Sequence, residues 1–175
     1  MKGVLSGWRR VNGFAVSATV PTCLYNAIVY QLQALQAKYP SPSEVFSIGQ
    51  NDNGVELLAM RISRSPHIMD GFKVGHLMVA THHGNESAAP VFAMRFITDL
   101  LSRYGTDQTL DDKEYTIVPV LNVSGYNANQ REEKGHDPNR DYAGPCTPHT
   151  TNLKSIRLVL DLAKARIYSG SVTVH

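Results

Sequence analysis

Length, composition and charge limit what this chain can be. Its 175 residues fall within the range of one domain and can bury a sizeable core. Seventeen basic and fifteen acidic residues leave a net charge of +2, and no basic run is longer than Arg9-Arg10, so the electrostatic signature of a nucleic-acid-binding protein is missing. No apolar stretch reaches the roughly 18 residues that a membrane span requires. We therefore expect no nucleic-acid partner and no membrane span.

Residues 1–23 are predicted to be an extension that precedes the main domain. A basic start followed by residues 11–20 weakly resembles a secretory signal, but polar residues dilute its apolar part. Cys23 and Cys146 lie far apart and lack metal-type spacing, so they permit one disulfide without requiring it. The compartment, whether secreted, periplasmic or cytoplasmic, stays open.

The hydrophobic pattern predicts a helix, then a β-hairpin, then alternating strands and helices. The predicted elements are, in chain order, a helix at 24–39, hairpin strands at 44–49 and 55–62, a loop at 64–72, a strand at 74–81, a helix at 88–104, a polar connection at 105–112, a strand at 115–121, a long polar segment at 122–151, a helix at 152–166 and a strand at 171–175. Alternation of this kind is typical of crossover units. We predict an α/β fold, a three-layer sandwich whose mixed, mostly parallel, twisted sheet is flanked by helices, with the hairpin at one edge.

The segment Thr81-His-His-Gly-Asn-Glu86 carries the first chemical signal. His83 and Glu86 would leave the carboxyl end of a strand, where open α/β sheets place their ligands. Imidazole nitrogen and carboxylate oxygen are ordinary zinc ligands, and a catalytic zinc takes three protein ligands and keeps one position for water. His82 would point to the opposite side, so we expect it to be a packed or hydrogen-bonded neighbour. Ser87 is predicted to cap the helix that follows.

A third zinc ligand and several polar partners can be found further along the chain. His175 ends the last predicted strand and could meet the first two ligands at the same sheet edge, although a terminal histidine is otherwise expected to be flexible. In the long polar segment, Arg131 and Arg140 suggest a substrate that carries a carboxylate or develops an oxyanion. Asp137 could accept a hydrogen bond from the non-metal nitrogen of a ligand histidine. The alternative interpretation is a solvated loop rich in turn-forming residues.

Several short motifs occur in a recognisable order between residues 25 and 175. They are LQALQAKYP at 32–40, SIGQ at 47–50, LAMRIS at 58–63, HGNE at 83–86, NVSGY at 122–126 and GHDPNRDY at 135–142. Together they resemble the zinc carboxypeptidases related to carboxypeptidase A. Val123 and Ser124 stand where the family has proline and aspartate, and Pro138 stands where an aliphatic residue is common, so these changes bear on the conformation of the loop.

The resemblance implies a zinc-dependent metallocarboxypeptidase that removes C-terminal residues from peptides with a free carboxylate. Carried over position by position, it implies that His83, Glu86 and His175 bind one Zn²⁺ and that Asp137 is the hydrogen-bond partner of His83. Arg131 would polarise the scissile carbonyl, and Asn139 and Arg140 would hold the carboxylate of the substrate. The family's general base lies after the third ligand. The catalytic domain, 24–175, is therefore expected to be incomplete and weakly active, with Glu132 and Glu133 solvated rather than serving as the base.

Two alternative hypotheses stay open. The HGNE motif, with a compact path to the third histidine, also resembles the aspartoacylase and succinylglutamate desuccinylase branch, which hydrolyses N-acyl amino acids. The other alternative is a non-catalytic domain that binds peptides through the same pocket. The motifs at 32–40 and 47–50 favour the carboxypeptidase branch.

Overall fold

Two β-sheets and four α-helices occupy the part of the chain that the structure describes. A computed structural model describes residues 8–11, 14–17, 24–66, 73–143 and 150–175. In the predicted extension, β1 (Trp8–Val11) pairs antiparallel with β2 (Phe14–Ser17). Both cysteines, and with them the possible disulfide, lie outside the described residues, as does most of the predicted loop at 64–72.

The main domain contains every helix and strand that the sequence predicts, and one additional helix. Its elements are α1 (Leu24–Lys38), β3 (Ser43–Gln50), β4 (Glu56–Ser63), β5 (Val74–Ala80), α2 (Ala88–Arg103), β6 (Lys113–Val118), α3 (Val123–Ala128), α4 (Lys154–Lys164) and β7 (Tyr168–Val174). Short 3-10 helices lie at Gln108–Leu110 and Pro138–Arg140. The sixth strand ends earlier than predicted, just before Pro119, which has no N–H for a ladder hydrogen bond.

The larger sheet is mixed, and its strand order is β3-β4-β6-β5-β7. Strand β5 pairs in parallel with β6 and β7, whereas the pairs β3–β4 and β4–β6 are antiparallel. The predicted mixed α/β sheet with its hairpin at one edge is confirmed, but the pairings divide evenly rather than being mostly parallel. The parallel half has a direct consequence: the carboxyl ends of β5, β6 and β7 meet at one edge.

A continuous apolar core joins the sheet to the helices that flank it. Fully buried members include Leu32 of α1, Met60 of β4, Ile97 of α2, Ile117 of β6 and Ile156 of α4. None of the helices in the described ranges combines the length and the apolar character that crossing a bilayer would demand. The core thus fixes the strands whose ends carry the polar residues.

The N-termini of α2 and α4 receive no side-chain hydrogen bond from their own N-cap residues, so the predicted capping role of Ser87 is wrong. Ser87 occupies the N-cap position of α2 but makes no side-chain capping hydrogen bond, because its own backbone is already helical. At α4, the N-cap residue is Leu153, and distant carboxylates take over the role. Asp141 accepts hydrogen bonds from the backbone N–H of Leu153 at 2.7 Å and of Asn152 at 3.0 Å.

Asp141 therefore links the long polar segment to α4, and replacing it should weaken the fold. Burial acts to raise its pKa, but the hydrogen bonds from Leu153 and Asn152 outweigh burial and hold the pKa below its ordinary value. A depressed carboxyl pKa gives stability that is present above about pH 4 and is lost as the pH falls through the folded-state pKa. We expect Asp141→Asn to lower the free energy of unfolding by about 1–3 kcal/mol at neutral pH, and by less at acid pH.

Urea denaturation at neutral and acid pH measures this effect. Asp99→Asn is the matched control, because the Asp99 side chain is 58% exposed and its replacement should change stability by less than about 0.5 kcal/mol. Equal losses in the two variants, or no dependence on pH, would contradict the linking role of Asp141.

Candidate metal centre

Backbone hydrogen bonds join the segments that follow the three parallel strands. The N–H of Thr81 donates to the carbonyl of Val174 at 3.1 Å, and the N–H of Asn122 donates to the carbonyl of Thr81 at 3.0 Å. Thr81 is held at φ 60, a left-handed conformation that is strained for a β-branched residue. Its hydroxyl donates to the Pro119 carbonyl at 2.9 Å and helps to keep this conformation. The chain therefore turns sharply just before the two histidines.

The three predicted zinc ligands converge at this edge. Nδ1 of His83 lies 2.8 Å from Oε1 of Glu86, and Nδ1 of His175 lies 3.0 Å from Oε2 of the same carboxylate. One potential ligand atom from each residue lies within 4.8 Å of the other two. His83 is buried, whereas the side chains of Glu86 and His175 are 28% and 32% exposed. The cluster is therefore anchored in the protein and open on one side.

His83 has a carboxylate oxygen at each ring nitrogen. Nε2 lies 3.0 Å from Oδ1 of Asp137, while Nδ1 faces Glu86. A neutral imidazole has one N–H and one lone pair, so when it donates to Asp137, its other nitrogen and the Glu86 oxygen are two acceptors that face each other. A cation between them relieves this conflict. The donor set and the partner at Nε2 therefore fit a zinc ion.

Both carboxylates that flank His83 favour the ionised form. Burial acts to raise the pKa of Glu86, but hydrogen bonds and charges from His83 and His175 outweigh burial and lower the pKa. The pKa of Asp137 is lowered in the same way against burial, by His83, Arg131 and the backbone N–H of Asn139. A carboxyl group must be deprotonated before it can bind a metal. Because both groups are already ionised at neutral pH, metal binding does not have to displace a carboxyl proton.

His82 is the buried neighbour that the sequence predicted. Its side chain is fully buried, and its Nε2 lies 2.7 Å from the hydroxyl of Tyr142. Burial, together with the charges of His175 and His83, lowers the pKa of His82 to about 4. The ring is therefore neutral at neutral pH, and it is not part of the convergent ligand set.

Arg131 lies beside the ligand cluster. Its Nη2 is 3.1 Å from Oδ2 of Asp137, and its Nη1 is 4.0 Å from Oε1 of Glu86. The carbonyl of Arg131 accepts hydrogen bonds from the side-chain amide of Asn122 at 3.1 Å and from the N–H of Gly84 at 3.4 Å, so its backbone is fixed. Half of its side chain is exposed, which leaves N–H groups free to meet a molecule that enters from solvent.

Asn139 and Arg140 lie on the 3-10 helix that follows Asp137. The N–H of Asn139 donates to Oδ1 of Asp137 at 2.9 Å, which ties this turn to the residue that holds His83. The guanidinium of Arg140 is exposed and donates to the Asn139 carbonyl at 3.2 Å. Arg140 is therefore linked to the ligands through the backbone of the turn, and its side chain faces solvent.

Helix α3, which the sequence pattern did not predict, packs directly behind the turn that carries His83 and Glu86. Asn122 caps it by accepting a hydrogen bond from the N–H of Gly125 at 2.7 Å. A Cβ on Gly84 would lie 2.0 Å from the carbonyl carbon of Gly125, so only glycine permits this close approach. The hydroxyl of Ser124 accepts hydrogen bonds from Asn53 at 2.8 Å and Asn51 at 3.3 Å, so the unusual residue at this position is anchored to the β3–β4 turn. Asparagine often caps helices, so Asn122 was the signal in the sequence that could have predicted α3.

The two glutamates of the long segment have different environments. Glu132 is exposed, as expected, but Glu133 is only 1% exposed, so the prediction that it is solvated is wrong. Its Oε2 accepts a hydrogen bond from the hydroxyl of Ser155 on α4 at 2.6 Å. Glu133 thus fastens the loop to α4.

Comparison with known proteins agrees with this geometry. A family model described as zinc carboxypeptidase matches residues 28–154, which include all the predicted site residues except His175. Carboxypeptidase D from Anas platyrhynchos is 25% identical over an alignment of 160 residues, and the match covers 79% of this chain and 12% of that protein.

Solved structures share the fold. The carboxypeptidase A of Helicoverpa armigera superposes with a TM-score of 0.75 at 17% identity, over 87% of this chain and 45% of that chain. Bovine thrombin-activatable fibrinolysis inhibitor gives a TM-score of 0.73 at 20% identity, over 86% of this chain and 59% of that chain. The chain thus spans about half the length of these structures. Since the family model matches well over half of its residues, this chain belongs to the zinc carboxypeptidase family.

Proposed function

We propose that this chain carries the zinc site of a metallocarboxypeptidase, which hydrolyses C-terminal residues from peptides. The observation that carries the proposal is the convergence of His83, Glu86 and His175 within 4.8 Å at the carboxyl edge of the parallel strands. The arginine beside this cluster and the family membership of the chain support it.

In this proposal His83, Glu86 and His175 hold one Zn²⁺. Zinc bound there would polarise a substrate carbonyl and lower the pKa of a coordinated water. Asp137 accepts a hydrogen bond from the Nε2–H group of His83, which fixes the tautomer and directs the Nδ1 lone pair toward Glu86. The partial exposure of Glu86 and His175 leaves the open side of the cluster to water and substrate.

The two arginines of the site contact the peptide substrate. Arg131 keeps one N–H group on Asp137 and can direct others at the oxygen of the scissile carbonyl, where negative charge develops. Asn139 and the exposed Arg140 receive the C-terminal carboxylate of the substrate, since the guanidinium fork matches carboxylate geometry. A free C-terminus is therefore part of what this site recognises.

The other two hypotheses differ in what they expect of the ligand. The family match and the relatives are carboxypeptidases, and an N-acyl amino acid substrate is not supported by them. A non-catalytic peptide-binding domain would keep the same carboxylate contacts without turnover. Separate measurements of binding and turnover therefore distinguish these hypotheses.

The metal-binding prediction is one zinc per chain after reconstitution. His83→Ala removes a ligand and should reduce zinc affinity by more than the roughly 10–100-fold loss that we expect for Asp137→Asn, which removes only the negative charge of that ligand's hydrogen-bond partner. Elemental analysis and competition with a chromogenic chelator measure both quantities. His76→Ala is the control, because His76 stacks on Tyr115 away from the ligands. A zinc-free protein, or unchanged affinity in His83→Ala, would refute the assignment.

The substrate prediction concerns the C-terminal carboxylate. Zinc-loaded protein should bind a peptide with a free C-terminus more tightly than its amidated form, and Arg140→Ala should abolish most of the difference, with a loss of about 10–100-fold because a charge-assisted pair is removed. Isothermal titration calorimetry measures the affinities.

Arg64→Ala is the matched control for Arg140→Ala. It removes the same charge from a side chain that is 70% exposed at the opposite edge of the sheet, and it should leave the preference intact. Equal affinity for free and amidated peptides would overturn the assigned role of Arg140. Preferential hydrolysis of N-acyl amino acids would favour the deacylase hypothesis, and tight peptide binding without turnover would favour the non-catalytic one.

Neither loop glutamate is expected to act as the general base. Burial raises the pKa of Glu133, so the folded protein holds this proton more tightly than the unfolded chain, and stability rises as the pH falls through the folded-state pKa. Glu133→Gln should therefore keep or increase the stability at neutral pH without changing the peptidase rate. Glu132→Gln should change neither the stability nor the peptidase rate. A fall in the peptidase rate of about 10²–10⁴-fold in either variant would identify a base among these residues.

A further inference from the structure

His82 and Tyr142 form a buried polar pair directly beside the ligand cluster. His82 has no exposed surface, and its Nε2 lies 2.7 Å from the hydroxyl of Tyr142. Its Nδ1 is buried and has no hydrogen-bond partner among the described residues. Burying an imidazole with only one of its nitrogens satisfied is unfavourable compared with an apolar side chain of similar size. Core packing alone therefore does not account for a histidine at position 82.

The ring of His82 lies against that of His175. Their centroids are 5.3 Å apart with an interplanar angle of 28°, a stacked arrangement. The His83 ring also approaches His175, at 4.9 Å and 45°. His175 needs such neighbours, because it follows the edge strand β7, in which most residues are exposed. Its backbone is tied to the site by the bond from Thr81 to Val174, but this bond does not set the plane of the imidazole.

From these contacts we propose that the His82–Tyr142 pair is a positioning unit, which sets the orientation of the His175 imidazole toward the metal. The hydroxyl of Tyr142 holds the His82 ring in one rotation, and the flat face of His82 then supports the ring of His175 so that its Nδ1 points toward Glu86. Neither residue touches the metal or the substrate in this role. The inference rests on the zinc site proposed above.

One loop supports both histidine ligands in this arrangement. Asp137 binds Nε2 of His83, and five positions later Tyr142 binds His82, which backs His175. Between them, Asp141 fastens the same loop to the start of α4. The orientation of the two imidazoles is thereby coupled to the conformation of a single segment.

Tyr142→Phe tests the proposal, because it removes one oxygen atom and keeps the aromatic ring. We expect zinc affinity to fall by about 3–30-fold, somewhat less than for direct loss of a ligand's own partner. The melting temperature of the metal-free protein should also fall, because the buried His82 ring is left without its hydrogen bond. In the Co²⁺-substituted protein, the visible d–d absorption should shift, since it reports the ligand geometry. His82→Phe keeps a flat face but lacks the hydrogen bond, and it should behave like Tyr142→Phe.

The chain offers a matched control in the stacked pair of His76 and Tyr115, whose rings are 5.1 Å apart at 22° away from the ligands. Tyr115→Phe should change neither the zinc affinity nor the Co²⁺ spectrum. Zinc binding and a Co²⁺ spectrum that are unchanged in Tyr142→Phe would overturn the positioning role and leave the zinc site standing. Failure of the unaltered chain to bind zinc would overturn the proposed function and this inference with it.

Discussion

The placement of His83 between two carboxylates is the interaction on which the rest of the site depends. With Asp137 at 3.0 Å from one ring nitrogen and Glu86 at 2.8 Å from the other, a neutral imidazole cannot satisfy both. The fold maintains this arrangement through a strained Thr81, a glycine that allows α3 to approach, and a loop fastened to α4 by Asp141. Strain and like-charge proximity that persist in a fold are typical of functional sites.

The sheet brings these groups together because parallel strands end at the same edge. Strand β5 pairs with both β6 and β7, so the segments that follow the three strands are neighbours in space although they are distant in sequence. One of them carries His83 and Glu86, another leads to Asn122 and α3, and the third ends in His175. The antiparallel hairpin lies on the other side of β6, and its turn holds Ser124 from a distance. The fold thus supplies convergence, and the loops supply the chemistry.

Much of this could be predicted from local pattern. The helices and strands followed from hydrophobic periodicity, and the convergence of His83, Glu86 and His175 followed from polar residues at strand ends. Three features could not be predicted in this way, because each depends on tertiary contacts. Helix α3 is short and is stabilised by its cap and its packing, and the N-terminus of α4 is capped by a carboxylate twelve positions away. Glu133 is buried where it meets Ser155 of α4. Periodicity carries no information on such partners.

X-ray absorption at the zinc edge tests the central claim most directly, because it reports which atoms surround the metal in the reconstituted chain. The account predicts that only nitrogen and oxygen atoms coordinate the zinc, with two imidazole nitrogens at about 2.0–2.1 Å and carboxylate and water oxygens at similar distances. The number of imidazole rings around the zinc should fall from two to one in His175→Ala. A sulfur shell at about 2.3 Å, or an imidazole count that the loss of His175 leaves unchanged, would contradict it.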